Sequence, residues 1–182
     1  MIIGIGGVSR AGKTSLSGFL KKNLGRKCVE IHLDSYIKDS SHWDFFMKYP
    51  IFYLSSIHKM FDMEHPDVID FNRLYEDIIR SNEENEIVIA EGFLITHDPR
   101  IKNLIDCYIH VAVNKEEFIK RRTNDYKKSN AWYANHVWKS FMKYGNNYNG
   151  LNYMVVDANN EMDTDSVLAF ININQHLERV GS

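Results

Sequence analysis

Met1-Ile-Ile-Gly-Ile-Gly-Gly-Val-Ser-Arg-Ala-Gly-Lys-Thr-Ser15 is followed by Leu16, Phe19, Leu20 and Leu24 at helical spacing, with Gly25 as a stop. A short apolar strand, a glycine-containing loop and a helix succeed one another, and within the loop Gly7, Gly12, Lys13 and Thr14 satisfy G-x-x-x-x-G-K-[ST]. At ordinary residue frequencies those positions coincide in roughly one chain in 200 of this size. With strand and helix in place, the match therefore reads as a phosphate-binding loop and not as a glycine-rich turn with a surface lysine. Glycines let the backbone fold around an anion so that successive N–H groups point at phosphate oxygens near a helix N-terminus. The expected donor cradle is Gly7, Val8, Ser9, Arg10, Ala11, Gly12, Lys13, Thr14 and Ser15. Lys13 would reach the terminal phosphates, and the Thr14 hydroxyl would ligate Mg²⁺.

Outward from the loop, the chain alternates short apolar runs with helical ones. Strands are expected at Ile2–Ile5, Cys28–Leu33, Ile87–Ala90, Tyr108–Val113 and Tyr153–Val156, and helices at Lys13–Leu24, Phe71–Arg80, Lys115–Asn124, Trp132–Tyr148 and Ser166–Arg179. That order predicts an α/β fold, a five-stranded parallel sheet with helices on both faces. The continuous apolar run Ile87–Ala90 reads as a central strand. Asn114 with Glu117 reads as a helix cap. Between Asp34 and His65, the aromatics Tyr36, Trp43, Phe45, Phe46, Tyr49, Phe52, Tyr53 and Phe61 fit either inter-helix packing or the lining for a flat ring.

The 182 residues suffice for one substantial core, so a single domain over residues 1–182 is expected. Hydrophobic residues make up 44% of the chain without a run long enough to span a bilayer, and a basic-then-apolar leader is absent. Cys28 and Cys107 form no C-x-x-C pair, and the eight histidines lack metal-ligand spacing. A cytoplasmic protein without structural zinc or membrane attachment is the expectation. A net charge of −2 gives no general affinity for nucleic acid.

In an open α/β sheet, ligands sit beyond the carboxyl ends of the strands, and two acids stand there: Asp34 after the second strand and Glu91 after the third. Either could be a turn residue. Beside a phosphate loop, Asp34 is the candidate base for an acceptor hydroxyl, and Glu91 would hold Mg²⁺, directly or through water, or orient that hydroxyl. Asp70 could bind sugar hydroxyls or cap the helix that starts at Phe71. The basic segment Lys120-Arg-Arg-Thr-Asn-Asp-Tyr-Lys-Lys128 reads as a solvated helix end or as a lid whose Arg121 or Arg122 neutralises a transferring phosphoryl group.

Four segments together resemble the nucleoside kinase branch of the P-loop kinases, which includes uridine kinases and nicotinamide riboside kinases: Gly7-Val-Ser-Arg-Ala-Gly-Lys-Thr14, Leu33-Asp-Ser-Tyr-Ile-Lys38, His65-Pro-Asp-Val-Ile-Asp70 and Ala90-Glu-Gly-Phe-Leu94. Asn135-His-Val-Trp-Lys-Ser-Phe-Met-Lys-Tyr144 is similar to the riboside kinases in particular, and Val155-Val-Asp-Ala158 resembles the loop that supports adenine. The resemblance implies a P-loop NTPase fold with a small helical lid near residues 120–135. It implies transfer of a phosphoryl group from ATP, with Mg²⁺, to the ribose 5′-hydroxyl of a small-molecule nucleoside, most closely nicotinamide riboside. Under it Asp34 is the catalytic aspartate, Asp70 the ribose aspartate, Glu91 the acid near Mg²⁺, Arg121 and Arg122 the lid arginines and Ala158 an adenine contact. Ile69 stands where some riboside kinases carry an aromatic residue, leaving Tyr36 and Tyr126 to stack on the base. Uridine or cytidine is the alternative acceptor, since the longer lid and base-binding insert of uridine kinases are absent. A non-catalytic nucleotide-binding module is the alternative of another class. A GTPase switch is disfavoured, because no D-x-x-G occurs and Asn114-Lys-Glu-Glu117 ends in the wrong acid for guanine.

Overall fold

A computed structural model describes residues 1–25, 27–38, 50–52, 59–125 and 131–181. Five strands form one parallel sheet: β1 (Ile2–Gly6), β2 (Cys28–His32), β5 (Ile87–Glu91), β6 (Cys107–Ala112) and β7 (Tyr153–Asp157), in the order β2-β5-β1-β6-β7. Every strand expected from the apolar runs is present. The middle strand is β1, and the continuously apolar β5 is the interior strand beside it.

Both faces of the sheet are covered, as a parallel sheet requires. Ile3, Ile5, Ile87, Ile89, Ile109 and Val111 point to one face, where they meet α1 (Lys13–Asn23), α4 (Lys115–Asp125), α5 (Ala131–Tyr144) and α6 (Thr164–Gly181) through residues such as Leu16, Leu20, Phe118, Phe141 and Ile171. The alternate residues Ile2, Val88, Ala90 and Tyr108 point to the other face, against α2 (Phe71–Glu84) and the short α3 (Pro99–Lys102) through Leu74, Ile78 and Ile101. Leu20 and Leu74 are fully buried, so truncating either to alanine costs about 2–5 kcal/mol.

Departures from expectation have local causes. The fifth helix ends at Tyr144 and not at Tyr148, because the amides of Gly145 and Asn146 both turn back onto the Phe141 carbonyl at 2.8 and 3.0 Å. Tyr148 instead stacks on Tyr108 and lies 4.6 Å from the His110 ring. A hairpin of β3 (Pro50–Phe52) and β4 (Lys59–Phe61), unforeseen in the aromatic-rich stretch, forms a separate antiparallel pair. Trp43, Phe45, Phe46, Tyr49 and Tyr53 of that stretch lie outside the described residues. At α4, Asn114 Oδ1 caps the Glu117 amide at 2.8 Å, while the Asn114 amide is satisfied by Asn159 and not by a reciprocal Glu117 bond. Cys28 and Cys107 are not joined in a disulfide. No helix among the described residues is long and apolar enough to cross a membrane.

Candidate active site

The loop between β1 and α1 runs Gly7 at φ 145° and Arg10 at φ 65°, and a β-carbon at Gly7 would lie 2.4 Å from the Val111 carbonyl oxygen. Only glycine fits there, and its absence of a side chain lets the loop lie directly on β6. The loop opens onto a cavity of about 800 Å³, whose described lining includes Ser9, Gly12, Lys13, Thr14, Asp34, Glu64, Glu91, Arg121 and Arg122.

Strand register positions the acids. His32 of β2 is the register partner of Glu91 of β5, and its Nδ1 lies 2.9 Å from Glu91 Oε1. Beyond that pair the chains converge so closely that a β-carbon on Gly92 would sit 2.3 Å from Leu33 Cβ. Leu33 opens a 3₁₀ turn, Leu33–Tyr36, that carries the exposed Asp34 to the cavity wall. Glu91 itself is 6% exposed, and the same Oε1 accepts the Thr14 hydroxyl at 2.8 Å. Two oxygen donors from α1 and β5 thus touch, a hard donor pair suited to Mg²⁺, which keeps several waters and substrate oxygens of its own. Among the described residues no group of three or more His, Cys, Asp or Glu side chains is placed to hold a metal ion. Lys13 Nζ donates to the Val8 carbonyl at 3.1 Å. Burial holds its ammonium below the usual lysine range, opposed by the negative field of Glu91, Asp34 and Glu64.

The two arginines differ. Arg121 donates to Glu117 at 2.8 Å and to the carbonyls of Ala158 and Arg10, so it fastens the loop after β7 to the phosphate loop and to α4. Arg122 donates to Ser9 Oγ at 3.0 Å, lies 3.9 Å from Glu64 Oε1 and packs over the Tyr133 ring at 5.1 Å. Ala158 is buried, its amide held by Ala112 O at 2.8 Å.

Not every expected residue faces the cavity. Asp70 accepts the Arg73 amide at 3.1 Å as the N-cap of α2 and lines a separate depression of about 380 Å³ with Lys38, Phe71 and His97. The cap reading of Asp70 therefore describes its position. Tyr36, expected at the substrate, is 7% exposed; its hydroxyl donates to Asp77 at 2.8 Å and Arg73 packs over its ring, so it belongs to the core under α2. Tyr126 lies outside the described residues, as does the middle of the expected lid.

One acid escaped the sequence reading. Glu64, directly before His65-Pro66, is 8% exposed and faces the cavity, accepting the Tyr133 hydroxyl at 3.3 Å. Burial pushes its carboxyl above the usual range, with Arg122 opposing. Its one local signal was adjacency to the His65–Asp70 segment.

The relatives of the chain in sequence are named as kinases. The chain is 30% identical over 145 residues to a uridine kinase of Geobacillus kaustophilus, covering 70% of this chain and 68% of that protein. It is 26% identical over 192 aligned positions to nicotinamide riboside kinase 1 of Rattus norvegicus, covering 98% and 96%. Among solved structures, a gluconokinase from Sinorhizobium meliloti superposes with a TM-score of 0.64 at 10% identity, covering 99% and 97%, which bears on the fold alone. No protein-family model matches the chain. Phosphate loop, strand-end acids, parallel sheet and relatives converge: the chain belongs to the P-loop nucleoside kinase family and is a kinase of small molecules.

Proposed function

We propose that the chain is a single kinase domain that transfers the γ-phosphoryl group of ATP to the ribose 5′-hydroxyl of a nucleoside, with nicotinamide riboside as the preferred acceptor. The observation that carries this reading is the shared cavity, whose lining brings Lys13 and the phosphate loop together with Asp34 and Glu64.

In this reading the loop amides and Lys13 hold the triphosphate while Asp34 accepts the proton of the 5′-hydroxyl. That oxygen forms its bond to the γ-phosphorus as the bridge to the β-phosphate breaks, and ADP leaves. Thr14 and Glu91 would hold Mg²⁺, which supplies charge neutralisation at the phosphates. Arg122, across from Ser9, stabilises charge on the moving group. Arg121 and Ala158 frame the donor end. Glu64, in place of Asp70, accepts ribose hydroxyls.

Two observations support nicotinamide riboside. The similarity to the rat riboside kinase runs through 98% of the chain, against 70% for the uridine kinase. The cavity also carries the carboxylates of Asp34 and Glu64, whose negative field favours a nucleoside with a cationic pyridinium ring over a neutral pyrimidine. The 30% identity to uridine kinase favours uridine or cytidine as the second reading. ADP release measured with nicotinamide riboside, uridine and cytidine, each with ATP and GTP, decides. Strong turnover with a pyrimidine and none with nicotinamide riboside selects the second reading. ATP binding without turnover on any nucleoside returns the chain to a non-catalytic module.

A further inference from the structure

Two elements far apart in sequence meet beside the cavity. His136 of α5 places Nε2 2.8 Å from Asp62 Oδ1, and that same oxygen accepts the Glu64 amide at 3.1 Å. One carboxylate oxygen therefore receives α5 on one side and the start of the acceptor turn on the other. Tyr133, one helical turn before His136, donates its hydroxyl to the Glu64 side chain. Arg122 then joins Glu64 and the Tyr133 ring to Ser9 of the phosphate loop. The pair is mostly shielded, with 25% of the His136 side chain and 16% of the Asp62 side chain exposed. The imidazole is held flat between neighbours on its own helix, 6.0 Å from the Trp132 ring and 6.1 Å from the Tyr133 ring.

We propose that His136 and Asp62 act as a clasp that positions the Glu64 turn against α5 and so sets the affinity for the acceptor nucleoside. This rests on the reading of the cavity as a nucleoside kinase site. Neither residue touches the phosphate loop, so the clasp reaches the donor side only at two removes, through Glu64 and then Arg122. His136 and Asp62 are positioning residues: they act through Glu64.

The groups facing the imidazole give the clasp a pH dependence. Asp62 and Glu64 of the turn and Lys139 of α5 act on the imidazole directly, while His65 acts on Asp62 and Arg122 of α4 on Glu64. The hydrogen bond and charge of Asp62 raise the His136 pKa above its ordinary value against the opposing effects of burial and Lys139. The clasp is strongest with the imidazolium present and loosens as the pH rises through that raised pKa.

The test uses the full chain, the best acceptor of the nucleoside panel and saturating ATP. In His136→Ala, losing a charge-assisted hydrogen bond should raise the acceptor KM about tenfold, with kcat and the ATP KM within about twofold of wild type. Asp62→Asn should move the acceptor KM in the same direction. His136→Gln, which keeps an N–H donor but does not titrate, should recover most of the affinity and abolish the rise of acceptor KM as the pH increases above the ordinary histidine value of 6.5. An unmoved acceptor KM in His136→Ala overturns the clasp, as does a parallel rise in the ATP KM. Turnover of the wild type is the separate control: a chain that phosphorylates no nucleoside of the panel overturns the functional reading and the clasp with it, whereas wild-type turnover with an unmoved KM overturns the clasp alone.

Discussion

Acidification should destabilise this protein through one histidine. His110 lies on β6, 7% exposed, among the rings of Tyr148, Phe141 and Tyr108 at 4.6, 6.1 and 6.3 Å. Burial pushes its pKa down from 6.5 to about 4. The folded state thus binds the proton more weakly than the unfolded chain does. The stability linked to this group is full above pH 6.5, falls as the pH drops from 6.5 to 4, and levels off below. A drop from 6.5 to about 4 corresponds to about 3 kcal/mol, a large share of the roughly 5–15 kcal/mol that holds an ordinary domain together. Urea denaturation at several pH values between 7.5 and 4, for wild type and His110→Phe, isolates the effect, because the carboxylates contribute alike to both. The difference between the two should swing by about 3 kcal/mol toward the variant as the pH falls, the amount linked to the depressed pKa. Parallel stability curves, or a His110 titration midpoint near 6.5 by NMR, would refute the reasoning.

Three further outcomes are expected. Asp34→Asn should lower kcat by about 10²–10⁴ and leave ATP affinity nearly unchanged; near-native kcat would make Asp34 a turn residue. Gly92→Ala forces a β-carbon against Leu33, so the urea midpoint should fall by an amount equivalent to about 1–3 kcal/mol and kcat should fall with it; native values of both would show that this close approach does not place the acids. Chelation by EDTA should abolish turnover, reversibly with added Mg²⁺, while the melting temperature stays constant, since the Glu91 carboxylate has protein partners of its own in Thr14 and His32. A large drop in melting temperature would mean that a metal is structural.

The sheet was legible because parallel strands buried on both faces must be apolar throughout, as Ile87-Val-Ile-Ala90 is. The phosphate loop was legible because its pattern is local, written in residues of one short strand-to-helix turn. Asp34 and Glu91 could be located because strand ends are where such sheets bind ligands. Glu64 and Tyr36 could not, for one physical reason. Whether a side chain in an irregular segment faces a cavity or a helix depends on what packs over it, and here the deciding neighbours, Tyr133 and Asp77, are distant in sequence. Asp70 illustrates the converse, since a helix cap and a sugar ligand call for the same residue type. The early end of α5 was written in Gly145-Asn-Asn147, but the apolar stripe running on to Tyr148 concealed it.

The pairing of His32 with Glu91 has a consequence for how such an enzyme can change. The spacing between the acid of β5 and the aspartate just past β2 is inherited from strand register, the least adjustable feature of the fold. The turn at 62–65 and the helix that braces it lie outside that sheet. On the proposed reading of that turn as the acceptor site, chemistry and selectivity are built on separate parts that meet at Arg122, and exchanging the turn together with its brace offers a route to new acceptors that leaves the strand-end acids in place.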